Sequence, residues 1–126
     1  MSLILDAGAL IAYERGSRLV AALLAIELRA HRAPITHGGV VGQVWRGGTG
    51  RQARIAQLLA GTRVMALDDV LGRRAGVLLA RARASDVVDA AVVLLASDGD
   101  TIMTSDANDL EPLVHAAGVH AELVVV

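Results

Sequence analysis

Leu3-Ile4-Leu5-Asp6-Ala7-Gly8-Ala9-Leu10-Ile11-Ala12-Tyr13 is the stretch whose reading decides the fold. Leu3-Ile4-Leu5 reads as a short buried strand, Ala9 to Tyr13 as a short helix, and Asp6 stands at the junction between them. The same alternation recurs along the chain. Leu19 to Arg32 predicts a helix with Leu19, Leu23, Ile26 and Ala30 on one apolar stripe and Arg18, Glu27, Arg29 and Arg32 largely off it. Pro34-Ile35-Thr36 predicts a strand. Val40 to Arg46 predicts a helix closed by Gly47-Gly48, and Arg51 to Ala60 a helix ended by Gly61. Arg63 to Leu67 reads as a strand, followed by an Asp-started helix through about Arg83. Asp86 to Ser97 is apolar nearly all round, as a central buried helix is. Thr101 to Thr104 predicts a strand, Asn108 to Ala117 a helix, and Val119 to Val126 a last strand.

Strands that alternate with helices need crossover connections, which give a parallel sheet covered on both faces. The expected architecture is therefore a three-layer α/β/α domain with a mainly parallel sheet of four or five short strands. With no repeat, low-complexity tract or linker, residues 1–126 read as a single domain. Ligands in such sheets sit at the carboxyl ends of the strands, near a topological switch point.

Composition narrows the chemistry. The chain is 54 % hydrophobic and its mean hydropathy is +0.52, enough for a packed core. Its longest stretch free of charged residues, Ala33 to Trp45, is broken by Pro34, His37 and glycines, while a membrane span needs ~20 apolar residues. Cysteine is absent, which excludes disulfides, thiolate catalysis and Cys-ligated zinc. All twelve basic residues are arginine, so Schiff-base and phosphate-loop lysine chemistries are excluded as well. The net charge of −1 supplies no global field toward nucleic acid. Aromatics are limited to Tyr13 and Trp45, too few for base-stacking platforms. Ser2 to Asp6 has no basic flank of the signal-peptide kind, so the expected location is cytoplasmic.

Nine of the thirteen acids are aspartate, and several fall where strands give way to helices. Asp6 ends the first strand, Asp86 and Asp89 open the central helix, and Asp106 and Asp109 follow the strand ending at Thr104. In a parallel sheet the Asp6 and Asp106 strand ends share one edge, and the N-terminus of the Asp86 helix can face that edge too. Carboxylates crowded together repel one another, and a hard divalent cation with oxygen ligands offsets that repulsion. Such a site suits phosphodiester cleavage. Each acid also has a capping reading, because Asp is a favoured N-cap and Asp86/Asp89 and Asp106/Asp109 have capping-box-like spacing. Asp68 and Asp69 are assigned to capping outright. Asp6, interrupting an apolar stretch where an unpaired acid is costly, is the hardest to explain that way.

Leu3 to Ile11, Asp86-Val87-Val88-Asp89-Ala90-Ala91 and Met103-Thr104-Ser105-Asp106-Ala107-Asn108-Asp109-Leu110 together resemble, in order and spacing, the PIN domain (PilT N-terminus), and among its members the VapC-like toxins. The likeness spans essentially the whole chain. It implies Mg²⁺- or Mn²⁺-dependent RNA cleavage by the toxin of a type II toxin–antitoxin pair, usually a homodimer held inactive by a cognate antitoxin. Asp6 then matches the family's first-strand metal ligand. Asp89 matches the acid opening the penultimate helix, with Asp86 one turn earlier as its substitute. Asp106 matches the acid after the Thr-x-Asp strand end, with Thr104 beside it and Asp109 as an auxiliary. One position departs from the pattern: the family carries a glutamate, in a context like VLAEVLR, where this chain has Val40-Val41-Gly42-Gln43-Val44-Trp45-Arg46. Gln43 offers a carbonyl ligand but no charge and no base, which implies weaker metal binding and reduced or lost cleavage.

RNA phosphates call for arginines. Arg46, Arg51 and Arg54 flank the Gly47–Gly50 turn, and Arg15 and Arg18 lie near the Asp6 end; Arg46, Arg51 and Arg15 are the candidates, with a solvated helix face as the plainer reading of each. His37, after a strand, is a lesser ligand candidate with a structural reading beside it. Leu19 to Leu28 and Ile55 to Leu59 are candidates for a dimer or antitoxin surface, with core packing as the default. The rival to a nuclease is a PIN-fold module that binds antitoxin or RNA without turnover. A HAD-like hydrolase would need a second acid where Gly8 stands, and a flavodoxin-like binder finds no support in the glycine pattern.

Overall fold

Leu3–Leu5 forms β1 at the centre of a sheet whose every neighbouring pair is parallel. β2 (Ile35–His37) and β3 (Arg63–Met65) lie on one side of it, and β4 (Thr101–Thr104) and β5 (Glu122–Val125) on the other, in the order β3-β2-β1-β4-β5. The computed structural model describes residues 1–47 and 50–126. Among them seven helices surround the sheet, and the α/β/α layering expected from the sequence is what forms. α1 (Ala7–Glu14), α2 (Arg18–Arg29), α3 (Gly38–Val44) and α4 (Ala53–Ala60) precede β3. α5 (Asp69–Ala82), α6 (Val87–Leu95) and α7 (Ala107–Ala117) follow it.

The register pairs Leu5 with Met103, so β1 and β4 end side by side. The chain leaves β1 toward β2 and returns through β4 toward β5, which makes the β1/β4 boundary the topological switch point. Ile4, Leu5, Ile102 and Met103 are fully buried, as central strands covered on both faces must be. α6 contributes Ala90 to Val93 to the same core, in keeping with its all-round apolar sequence.

Gly8 makes the switch point close-packed. A Cβ there would overlap the Ser105 hydroxyl, and would lie 2.5 Å from the Ser105 Cβ and 2.8 Å from its backbone nitrogen. Only glycine lets the first turn of α1 approach the end of β4 this closely.

Several expectations shift. α2 turns Val20 and Glu27 to the core and leaves Leu19 and Ile26, two of the four stripe residues, 46 % and 50 % exposed. The reason is the Arg32 guanidinium, which grips the Glu27 carboxylate at 3.1 and 3.2 Å and makes its burial tolerable. The predicted Arg63–Leu67 strand pairs only through Met65, and the last strand only from Glu122. Asp68 caps α5 through the Leu71 N–H as assigned, but Asp69 instead pairs with Arg73 on the surface. Gly48 and Thr49, part of the expected α3 closure and glycine turn, lie outside the described residues.

Candidate metal and phosphodiester site

Asp6 follows β1 directly and is the N-cap of α1, accepting from the Ala9 N–H at 3.0 Å. Asp106 follows the end of β4 and begins α7 without a side-chain capping bond. Thr104, fully buried at the end of β4, joins the two. Its Oγ1 accepts from the Asp106 N–H at 2.9 Å, and its hydroxyl hydrogen bonds to the Asp6 carboxylate. A hydroxyl has one proton to donate and lone pairs to accept with, so a single Thr104 serves both strand ends.

Asp86 caps α6 through the Asp89 N–H at 3.1 Å, and Asp89 stands in the first turn of that helix. His37 holds α6 to the strand ends. Its Nε2 donates to the Val88 carbonyl at 3.0 Å while Nδ1 accepts from the Gly39 N–H at 3.0 Å. Both ring nitrogens are therefore engaged, and burial pulls the imidazole pKa below its ordinary value. The structural reading of His37 holds. Asp86, Asp89, Asn108 and Asp109 line one cleft of 280 Å³ together with Arg83 and Pro112.

The electrostatics tie these acids into one field. Burial lifts the Asp6 carboxyl above the usual carboxylate range against the bonds from Thr104, Ala9 and Gly8, and the charge of Asp106 lifts it further. Asp89 is pushed up to about 6, first by burial and then by the charges of Asp86, Asp6, Asp109 and Asp106. Asp109 is raised by a hydrogen bond shared with Asp106, which needs a proton, and by that neighbour's charge. Among the described residues the ion pairs are Arg32–Glu27 and Arg73–Asp69, so no arginine neutralises this group.

The donor set is all oxygen, and its uncompensated charge is of the kind a hard divalent cation relieves. Yet among the described residues no three His, Asp or Glu side chains form a group placed to hold a metal ion. Part of the reason is visible: Asp6 and Asp86 each spend an oxygen on a backbone N–H of their own helix. The capping and ligand readings of these two acids thus describe the same side chains.

The remaining sequence candidates separate. Gln43 is exposed near the end of α3; its carbonyl accepts from Arg46, and no bond joins its side chain to the acids among the described residues. Arg46 spends its guanidinium on the carbonyls of Gly42, Gln43 and Trp45, closing α3. Arg51 is exposed on a single 3-10 turn. Arg15, exposed beyond α1, shares a 540 Å³ cavity with Gly8 and Ser105 and is the member of this trio that borders the Asp6 end. Sequence reasoning passed over Arg83 and Asn108, whose place in the acid cleft depends on how α5 meets α7. It also passed over Asp100, whose two carboxylate oxygens accept from Ser2 and Ser97 at the opposite sheet edge.

Compared with known family models and with curated proteins, the chain matches none. Among the described residues no helix is long and apolar enough to cross a membrane.

Proposed function

We propose that this chain is a divalent-cation-dependent endoribonuclease of the PIN type, the toxin of a type II toxin–antitoxin pair acting in the cytoplasm. The observation that carries the reading is the placement of five aspartates at one edge of the sheet: Asp6 and Asp106 follow the paired ends of β1 and β4, and Asp86, Asp89 and Asp109 line one cleft beside them, close enough that their charges lift the Asp89 carboxyl. Asp6, Asp89 and Asp106 would hold Mg²⁺ or Mn²⁺, with Asp86 and Asp109 in support. The cation, when bound, supplies charge neutralisation at the phosphodiester and a lowered pKa for attacking water. The chain's own part is positioning: Thr104 fixes Asp6 relative to the start of α7, Gly8 closes α1 onto Ser105, and His37 anchors the first turn of α6.

A partner surface accompanies this reading. Leu19, Ile26 and Leu28 are 46 %, 50 % and 77 % exposed along α2, and a 480 Å³ groove lined by Tyr13, Leu24, Leu28, Pro34 and Leu58 runs beside them. Exposed apolar area of this kind suits a second copy of the chain or an antitoxin segment. Ile55, by contrast, is fully buried in the core.

The second reading, a PIN-fold module that binds without turnover, is favoured by Gln43, which is uncharged and unattached to the acids. Cleavage of RNA with Mn²⁺ by the purified protein, by Asp6→Asn and by Gln43→Glu separates the two. Cleavage lost in Asp6→Asn supports the nuclease. A wild type without cleavage and a Gln43→Glu variant that gains it support the lapsed module, and measurable cleavage that is equal in wild type and Asp6→Asn refutes both site assignments.

A further inference from the structure

We infer that the seam between α5 and α7 is an RNA-backbone track, with Arg74, Arg81 and Arg83 holding phosphates of the strand that enters the acid cleft. This rests on the ribonuclease reading and adds the path of the substrate to it. The acid cleft is bounded by Arg83 just past α5 and by Asn108, Asp109, Pro112 and Leu113 on α7. A second cavity of 380 Å³ lies further along α5, bounded by Arg73, Arg74, Val77, Leu78 and Arg81 on that helix, by Leu94 on α6 and by Ala117 on α7. The two cavities share no lining residue, but Arg81 of one precedes Ala82 of the other in sequence, and Leu113 and Ala117 are one helical turn apart, so the two succeed one another along α5 and α7. At 1.5 Å per residue the line from Arg74 to Arg83 spans ~14 Å.

The three arginines are exposed and take part in no ion pair among the described residues, whereas Arg73 beside them is engaged by Asp69 at 2.9 Å. Arg83 occupies the left-handed conformation (φ 53°), a position where glycine would be the easier residue. It borders Asp86, Asp89 and Asp109 without pairing with them. Guanidinium groups bind phosphate bidentately, and a positively charged groove that tracks a backbone is how single strands are held without sequence preference. RNA is favoured over an acidic protein segment because the seam is continuous with the cleft where the scissile phosphate is proposed to sit.

The test is fluorescence anisotropy of a labelled single-stranded RNA in EDTA, so that binding is read without cleavage, across a range of salt. Relative to wild type, Arg74→Gln/Arg81→Gln is expected to bind ~20-fold more weakly and to lower the salt slope by ~1.4, the effect of two lost phosphate contacts on a single strand. Both arginines are exposed, so the melting temperature serves as the control for folding. If wild type binds and cleaves RNA while the double variant binds equally with the same slope, the track is wrong and the nuclease reading stands. If wild type neither binds nor cleaves RNA, both fall. If a polyglutamate peptide binds at the seam and RNA does not, the surface belongs to an acidic protein partner and the inference is overturned.

Discussion

Replacing Asp89 by asparagine should stabilise the metal-free protein while removing its response to a divalent cation. The Asp89 carboxyl sits at about 6 in the folded chain and near 3.9 when unfolded. A carboxyl raised in this way contributes stability that is fully present below about pH 4 and is lost as pH climbs through 6. Raising the carboxyl from near 3.9 to about 6 is worth ~3 kcal/mol when fully expressed. Asp89 is half-buried, and solvent screening brings the expected loss at pH 7.5 to ~1–2 kcal/mol. The asparagine side chain has the same shape and no charge to desolvate, so the variant escapes that loss. For a chain of this length 1 kcal/mol moves the melting temperature by ~4 °C, so Asp89→Asn should melt ~4–8 °C higher at pH 7.5 in EDTA and level with wild type at pH 4. Adding Mn²⁺ at pH 7.5 should raise the wild-type melting temperature and leave the variant nearly unmoved. A circular-dichroism melt across pH 4–8 reads all of this. A variant less stable than wild type at pH 7.5, or a difference constant with pH, would refute the electrostatic account of Asp89.

Two further outcomes follow from the packing at the switch point. Gly8→Ala should cost ~1–3 kcal/mol by urea unfolding, because the new Cβ meets the Ser105 backbone nitrogen as well as its side chain; an unchanged urea midpoint would show that α1 and β4 are not held this close. Thr104→Val keeps the shape but leaves the Asp106 N–H unpaired and deprives buried Asp6 of a donor, for ~1–3 kcal/mol of stability. It should also move the Asp6 carboxyl further up in an NMR titration, and Thr104→Ser should restore both.

The strands and the late helices were legible because their local signals agree with their surroundings. Leu3–Leu5 and Thr101–Thr104 are apolar runs bounded by polar residues, and the structure keeps their ends. α6 is apolar nearly all round because its middle, Ala90 to Val93, is fully buried, while Val87 in its first turn is exposed. α2 misled for a specific reason: Leu19, Leu23, Ile26 and Ala30 make one apolar stripe and Glu27 lies off it, so the stripe reads as the face toward the core. Nothing local announces that Arg32, beyond the helix, returns to satisfy Glu27. The same limit governs the site. Each aspartate could be placed at a strand or helix end from sequence, but Thr104 serving two strand ends, or Arg83 sharing a cleft with α7, depends on packing between distant segments. Gln52, whose side-chain amide binds the Val44 carbonyl and accepts from the Arg46 N–H, was invisible for the same reason.

Titration of the purified chain with Mn²⁺, followed by the electron paramagnetic resonance of the free ion, bears most directly on whether the five aspartates act as one ligand set. Saturable uptake by wild type, weakened by Asp6→Asn and by Asp89→Asn although the two residues lie on different elements, is the predicted result. Absence of uptake, or uptake that ignores both substitutions, would contradict it.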